Sequence, residues 1–253
     1  MYVYLYDHFL KNKRAESALK AVETRLTDFG IAGKIIRLQN FTNPEAVVQE
    51  ELRRGATTIV VVGNDETFAR VLSKTASLPA VFGFIPVGDH NTIAPVLGIP
   101  MGAEAADVLA RRRKVRLDVG WFNNRYFISQ LHIAPHHFTV EYDERFRVSS
   151  QNAEMELVVC NLQPYHWQTK DKDIIVHPQD GKLEAFLRPM RRKGWLRQIE
   201  YEDPSIFPFE EMTVASDTPF VVEADGKTSK ETRITIKLAK SRIEMIVGRE
   251  RQF

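Results

Sequence analysis

Residues 1–115 alternate between two kinds of hydrophobic spacing. Tyr2 to Tyr6 is a short apolar run that predicts a buried strand. Leu19, Val22, Leu26 and Phe29 then recur at helical spacing until Gly30 supplies a stop. Lys34 to Leu38 predicts a second strand. Asn43 before Pro44 has the form of a helix N-cap followed by a first-turn proline. Val47, Val48 and Leu52 mark one face of that helix, and Gly55 ends it. Thr58 to Val62 is β-branched and apolar, as expected of a central parallel strand covered on both faces. After the polar loop Gly63 to Thr67 comes a helix through Phe68, Val71 and Leu72. A strand at Val81 to Ile85 and a second polar loop, Pro86 to Asn91, complete the series. This order predicts a parallel sheet with helices on both faces.

Near Arg116 the period falls to two. Leu117 to Phe122 and Arg125 to Leu131 predict a hairpin. Its turn, Asn123-Asn124, uses residues that tolerate positive φ. Further strands are expected at Phe138 to Tyr142, Glu156 to Cys160, Ile174 to His177, Phe220 to Glu223, Arg233 to Leu238 and Ile243 to Val247. The chain therefore reads as an α/β N-terminal domain with a parallel sheet, residues 1–115, and an all-β, sandwich-like C-terminal domain, residues 116–253.

Composition narrows the function. With 253 residues the chain can bury one large core or two modest ones. A hydrophobic content of 43% with 27% charged residues is that of an ordinary soluble protein, and a net charge of +2 does not favour nucleic acid. The single cysteine, Cys160, allows no intramolecular disulfide and suits a reducing cytoplasm. The apolar start soon meets Asp7, Lys11, Lys13 and Arg14, which is not the charge order of a signal peptide. No run approaches the roughly 20 apolar residues of a membrane span, so lipid contact is expected to be peripheral.

Open parallel sheets bind ligands at the carboxyl ends of their strands, where both polar loops fall. In the first, Gly63-Asn64-Asp65-Glu66-Thr67, the glycine lets backbone approach a phosphate, and the amides opening the next helix face the anion. Asp65 is the candidate Mg²⁺ ligand or hydroxyl-orienting carboxylate. In the second, Pro86-Val87-Gly88-Asp89-His90-Asn91, Gly88 permits a close turn and Asn91 offers both a donor and an acceptor.

The first loop resembles the G-G-D-G-T motif of diacylglycerol kinases, sphingosine kinases and bacterial lipid kinases, which NAD kinases share. The second is similar to the P-x-G-T-x-N-D-F-A segment of the lipid kinases. Leu97-Gly98-Ile99-Pro100, Leu117-Asp118-Val119-Gly120, Asn123-Asn124-Arg125-Tyr126-Phe127 and Val222-Glu223-Ala224-Asp225-Gly226 continue the resemblance in order. The resemblance implies a nucleotide cleft between the two domains, ATP and Mg²⁺ as cofactors, and phosphoryl transfer to a lipid hydroxyl. By position, Gly63, Asn64 and Thr67 with Gly88 and Asn91 would bind the nucleotide. Asp65 and Asp118 would be the acidic site residues, and Asp65 the metal ligand.

Departures concentrate on the same motifs. Asn64 and Glu66 stand where the family has glycines, and Glu66 adds negative charge beside the phosphates. Asp89, His90 and Thr92 replace Thr, Gly and Asp. The family's N-P-x-S-G loop is Tyr6-Asp7-His8-Phe9-Leu10 here, and the D-G-E glutamate is Lys227. Two readings follow: a divergent lipid kinase in which Glu66 or Asp89 substitutes, or a nucleotide- or lipid-binding regulatory module on the kinase fold.

Other features are read as structural. Arg111 to Arg116 suits a helix C-terminus. The run Arg188, Arg191, Arg192, Lys193 and Arg197 around Trp195 and Leu196 reads as an exposed loop that can meet an anionic membrane. Adjacent His136 and His137 point to opposite faces and do not share a metal, and Cys160 reads as a buried thiol.

Overall fold

The structure is a computed structural model. It describes residues 1–11, 13–143, 146–149, 153–162, 176–193 and 198–253. The chain divides into two units, Met1–Leu117 with Ser241–Phe253, and Asp118–Lys240.

The first unit follows the alternation in the sequence. Its elements are β1 (Tyr2–Tyr6), α1 (Lys13–Asp28), β2 (Lys34–Arg37), α2 (Pro44–Arg53), β3 (Thr58–Gly63), α3 (Asp65–Thr75), β4 (Val81–Pro86), α4 (Ile93–Val96) and α5 (Ala105–Arg111). The strands lie in the order β2-β1-β3-β4, all parallel. Every residue of β3 is buried, as a strand covered on both faces requires. Asn43 caps α2 by accepting from the Glu45 amide, and Pro44 occupies the first turn. The C-terminal segment also belongs to this unit. Glu244 and Met245 pair in parallel with Val81 and Phe82 at the outer side of β4. Val247 N then donates to Arg113 O, Gly248 N to Leu97 O and Gln252 N to Val96 O. Gly98 turns with φ +65°, and a Cβ on it would stand 2.5 Å from Arg251 N, so only glycine lets this segment pass.

β5 (Lys114–Phe122) leads into the second unit. That unit contains β6 (Arg125–Phe127), β7 (Gln130–His136), β8 (Thr139–Tyr142), β9 (Phe146–Ser149), β10 (Glu154–Cys160), β11 (Leu183–Lys193), β12 (Gln198–Tyr201), β13 (Ser205–Phe209), β14 (Glu211–Ala224) and most of β15 (Lys227–Ile246). The pairings within it are antiparallel. β11 pairs β13 over one half and β12 over the other, while β14 passes from β8 to β7 across a register shift between Ala215 and Phe220. Strands that change partner in this way build two layers around one core. That core includes Phe127, Ile133, Leu157, Phe209, Val222 and Ile236.

Several expectations change. The predicted strand Arg125 to Leu131 is broken into β6 and β7, because the Asp225 carboxylate takes the amides of Ile128 (2.7 Å) and Ser129 (2.9 Å) out of the ladder. The two strands read at Arg233 to Leu238 and Ile243 to Val247 are one strand, β15, with Ser241 at φ +50° inside it. The basic run expected as a loop is in part the end of β11, where Arg188 pairs with Glu156 and Arg191 with Glu202. Leu183, Ala185 and Leu187 alternate into the core and outweigh the arginines in setting that strand. Trp195, Leu196 and Arg197 lie outside the described residues, as does the start of the strand expected at Ile174 to His177, and Val176 and His177 are not in a strand. The Asn123-Asn124 turn is borne out, with φ +43° and +62°. Cys160 is buried beside Val158, Val176 and Phe186, and burial pushes its thiol pKa up.

Candidate functional site

Because β1 to β4 are parallel and in register at Tyr6, Arg37, Val62 and Ile85, the loops that follow them emerge at one edge of the first unit. The β3 loop is tight. Val87 N donates to Gly63 O at 2.8 Å, so the two loops leave the sheet side by side. Asn64 caps α3, its side-chain oxygen accepting from the Thr67 amide at 3.1 Å. A Cβ on Gly63 would stand 2.8 Å from Thr67 Oγ1, so the backbone approaches that hydroxyl more closely than any other residue allows.

Asp65 joins the loops. Its Oδ2 accepts from the amide (2.6 Å) and hydroxyl (2.7 Å) of Thr92, and its Oδ1 accepts from the Ile93 amide at 3.2 Å. Its own amide donates to His90 O at 3.1 Å. The side chain read as a metal ligand thus caps the first turn of α4. Gly88 turns with φ +89°, and Asn91 Nδ2 closes the loop by donating to Gly88 O at 2.8 Å. Gly63, Asn64, Asp65, Thr67, Gly88 and Asn91 are therefore brought together, and Asp65 is the link between them.

A neighbour was read only as a missing motif. Asp7, at the end of β1, is 4% exposed. Thr67 Oγ1 donates to its Oδ2 at 2.6 Å, Arg70 Nη2 at 2.8 Å, and the Phe9 amide donates to its Oδ1 at 3.1 Å. Burial works to raise its pKa. The Thr67 and Phe9 bonds and the charges of Arg70 and His8 outweigh it and hold the carboxyl below the usual range. Asp7 thus locks Thr67 and, through it, the β3 loop. A polar residue closing an otherwise apolar strand was the available signal.

Glu66 and Asp89 are exposed on the two loops. Among the described residues no group of three or more His, Cys, Asp or Glu side chains forms a metal cage. Magnesium that arrives on phosphates needs only one or two carboxylates. Asp65 Oδ1 accepts the Ile93 amide at 3.2 Å, and Glu66 and Asp89 are exposed on the same two loops, a set of carboxylates that suits a phosphate-borne cation.

Asp118 and Asp225 belong to the second unit. Asp118 is buried, and its Oδ2 accepts from Gly181 N at 3.0 Å while its own amide donates to Pro178 O. It fixes the turn at 178–181. Asp225 is enclosed by the amide bonds that break β6 from β7. Burial raises its pKa against the pull of Ser129 and the amides. Lys227 is exposed at the start of β15.

Residues 3–122 match the family model described as the diacylglycerol kinase catalytic domain. Over 88 residues the chain is 38% identical to "Probable lipid kinase YegS-like" of Serratia proteamaculans, covering 32% of this chain and 29% of that protein. Over 86 residues it is 34% identical to "Diacylglycerol kinase" of Staphylococcus haemolyticus, covering 32% and 26%. The matched stretch thus spans less than a third of either curated relative. A crystal structure of a diacylglycerol kinase from Bacillus anthracis superposes with a TM-score of 0.76 at 18% identity, covering 98% of this chain and 97% of that one. At that identity the likeness speaks for the fold alone.

Proposed function

From the match of residues 3–122 to the diacylglycerol kinase catalytic domain, we propose that the chain is a kinase of that type and transfers a phosphoryl group from ATP, with Mg²⁺, to a lipid hydroxyl. The observation that carries the reading is the Asp65 bridge. It holds two loops of family type together at the carboxyl edge of a parallel sheet, with Gly63 and the start of α3 at their base. Phosphoryl transfer asks a protein mainly for positioning and charge neutralisation. Gly63, Asn64, Thr67, Gly88 and Asn91 shape the phosphate site. Asp65 acts as the positioning residue that sets both loops, and Asp65 with Glu66 or Asp89 would hold the cation that enters with the phosphates. Bound magnesium supplies charge neutralisation on the transferring group. Asp118 takes a positioning part in the second unit.

Calorimetry of ATP binding with and without Mg²⁺, on the wild-type protein and Asp65→Ala, tests the site. Phosphate transfer from labelled ATP to a panel of lipid alcohols tests the reaction. The reading expects Mg²⁺-dependent binding that weakens at least tenfold in Asp65→Ala, and labelled lipid. Binding without transfer to any acceptor would leave a nucleotide-binding module. No binding at millimolar ATP would remove the site.

A further inference from the structure

The loop after β2 emerges at the same edge as the candidate phosphate loops and carries Phe41, which is 90% exposed. Single exposed apolar residues are ordinary. Among the described residues the other large ones are 38–55% exposed, and Phe29 among them lies under the Arg25 guanidinium. Phe41 differs in how it is held. Thr42 N donates to Gln39 O at 3.0 Å, and Gln39 N donates to Thr42 Oγ1 at 2.8 Å, so residues 39–42 form a turn closed twice. Asn43 then caps α2 directly. The backbone is pinned on both sides, and an aromatic ring is displayed at the tip.

Cations gather at the base of this turn. Lys11 Nζ donates to Gln39 Oε1 at 3.2 Å, which places its ammonium on the turn itself. Lys11, Lys20 and Arg37 line an open groove of about 530 Å³ together with Leu10 and Leu19. The carboxylates of that groove are Glu16 and Glu23, and Glu23 accepts from the Tyr6 hydroxyl. In sequence, Lys13 and Arg14 follow Lys11 after one residue, Asn12. β2 lies two strand positions from β3, roughly 10 Å at the usual strand spacing.

We propose that the Phe41 turn is a docking point for an anionic lipid surface: the ring enters the headgroup layer, Lys11 and Arg37 meet lipid phosphates, and the phosphate loops are brought to the membrane that holds the acceptor. The proposal rests on the lipid-acceptor reading above. One aromatic ring and a few cations at an anionic surface give weak, reversible attachment. Such attachment suits an enzyme that must leave its product.

The test uses Phe41→Cys carrying an environment-sensitive dye. Cys160 is buried, so the introduced thiol is the accessible one. Vesicles of phosphatidylcholine, with and without phosphatidylserine, are added in the absence of nucleotide, which keeps the result independent of the kinase reading. A blue shift on the anionic vesicles, lost at high salt and absent from the same dye at Lys74→Cys, is expected. Unlabelled Phe41→Ser is expected to co-sediment with those vesicles about five- to tenfold less than wild type, with its melting temperature unchanged, since the side chain touches little. Equal co-sedimentation of Phe41→Ser and wild type overturns the proposal. So does a dye shift that follows protein concentration without vesicles, which would assign the turn to contact between copies of the chain.

Discussion

At the scale of single residues, Asp7 shows how one polar side chain organises an apolar strand end. Its carboxylate is nearly out of water yet ionised, because Thr67, the Phe9 amide and Arg70 repay its desolvation. Its folded pKa lies below the unfolded value of 3.8. The stability it contributes is therefore in place above pH 4 and is lost as the pH falls through the folded value. Asp7→Asn is expected to unfold at neutral pH with a loss of about 3 kcal/mol, since Arg70 is left without its partner. The difference from wild type should shrink below pH 4, and urea titrations at pH 3 and pH 7 measure it. A variant that loses the same amount at both values would show that charge is not the source.

At the scale of elements, two carboxylates fix where strands and helices begin and end. Asp65 caps α4, a helix of only four residues that has little stability of its own. Asp225 cuts the β6–β7 segment by drawing the Ile128 and Ser129 amides to itself, and its own amide returns a bond to Gln130 O. Asp225→Ala leaves those amides without an acceptor. The expected cost is about 2–3 kcal/mol, read from denaturant unfolding, with faster amide exchange confined to residues 126–131. The same change is expected to leave the Mg²⁺-dependence of ATP binding in place, because Asp225 holds a corner of the second unit.

At the scale of the whole molecule, the chain crosses between its units twice, and its last residues return to the first. Ile243, Met245, Ile246 and Val247 are buried there, and Gly248 passes Gly98 at backbone contact. A chain of residues 1–117 alone would expose the outer side of β4 and the face these residues cover. It is expected to lack cooperative thermal unfolding. The same chain with residues 241–253 joined by a flexible linker should regain it, as circular dichroism on heating will show.

Much of this was legible in the sequence where local rules govern. The β-branched run at Thr58 to Val62, the Asn43-Pro44 start of α2 and the Asn123-Asn124 turn depend on spacing, caps and φ tolerance, which are properties of neighbouring residues. The order of motifs from Gly63 to Asp225 carried the resemblance to the diacylglycerol kinases, and the grouping of Gly63, Asp65, Thr67, Gly88 and Asn91 followed from parallel strands sharing one edge. That the Asp65, Asp7 and Asp225 carboxylates bind Thr92, Thr67 and Ser129 was decided only in three dimensions, because these partners lie 27, 60 and 96 residues away. The same holds for β11, whose arginines hid an inward-facing apolar alternation, and for the final segment, whose apolar residues name a buried strand but not the strand they join. Periodicity states that a face must be covered; only the folded chain, by closing distant loops against each other, determines what covers it.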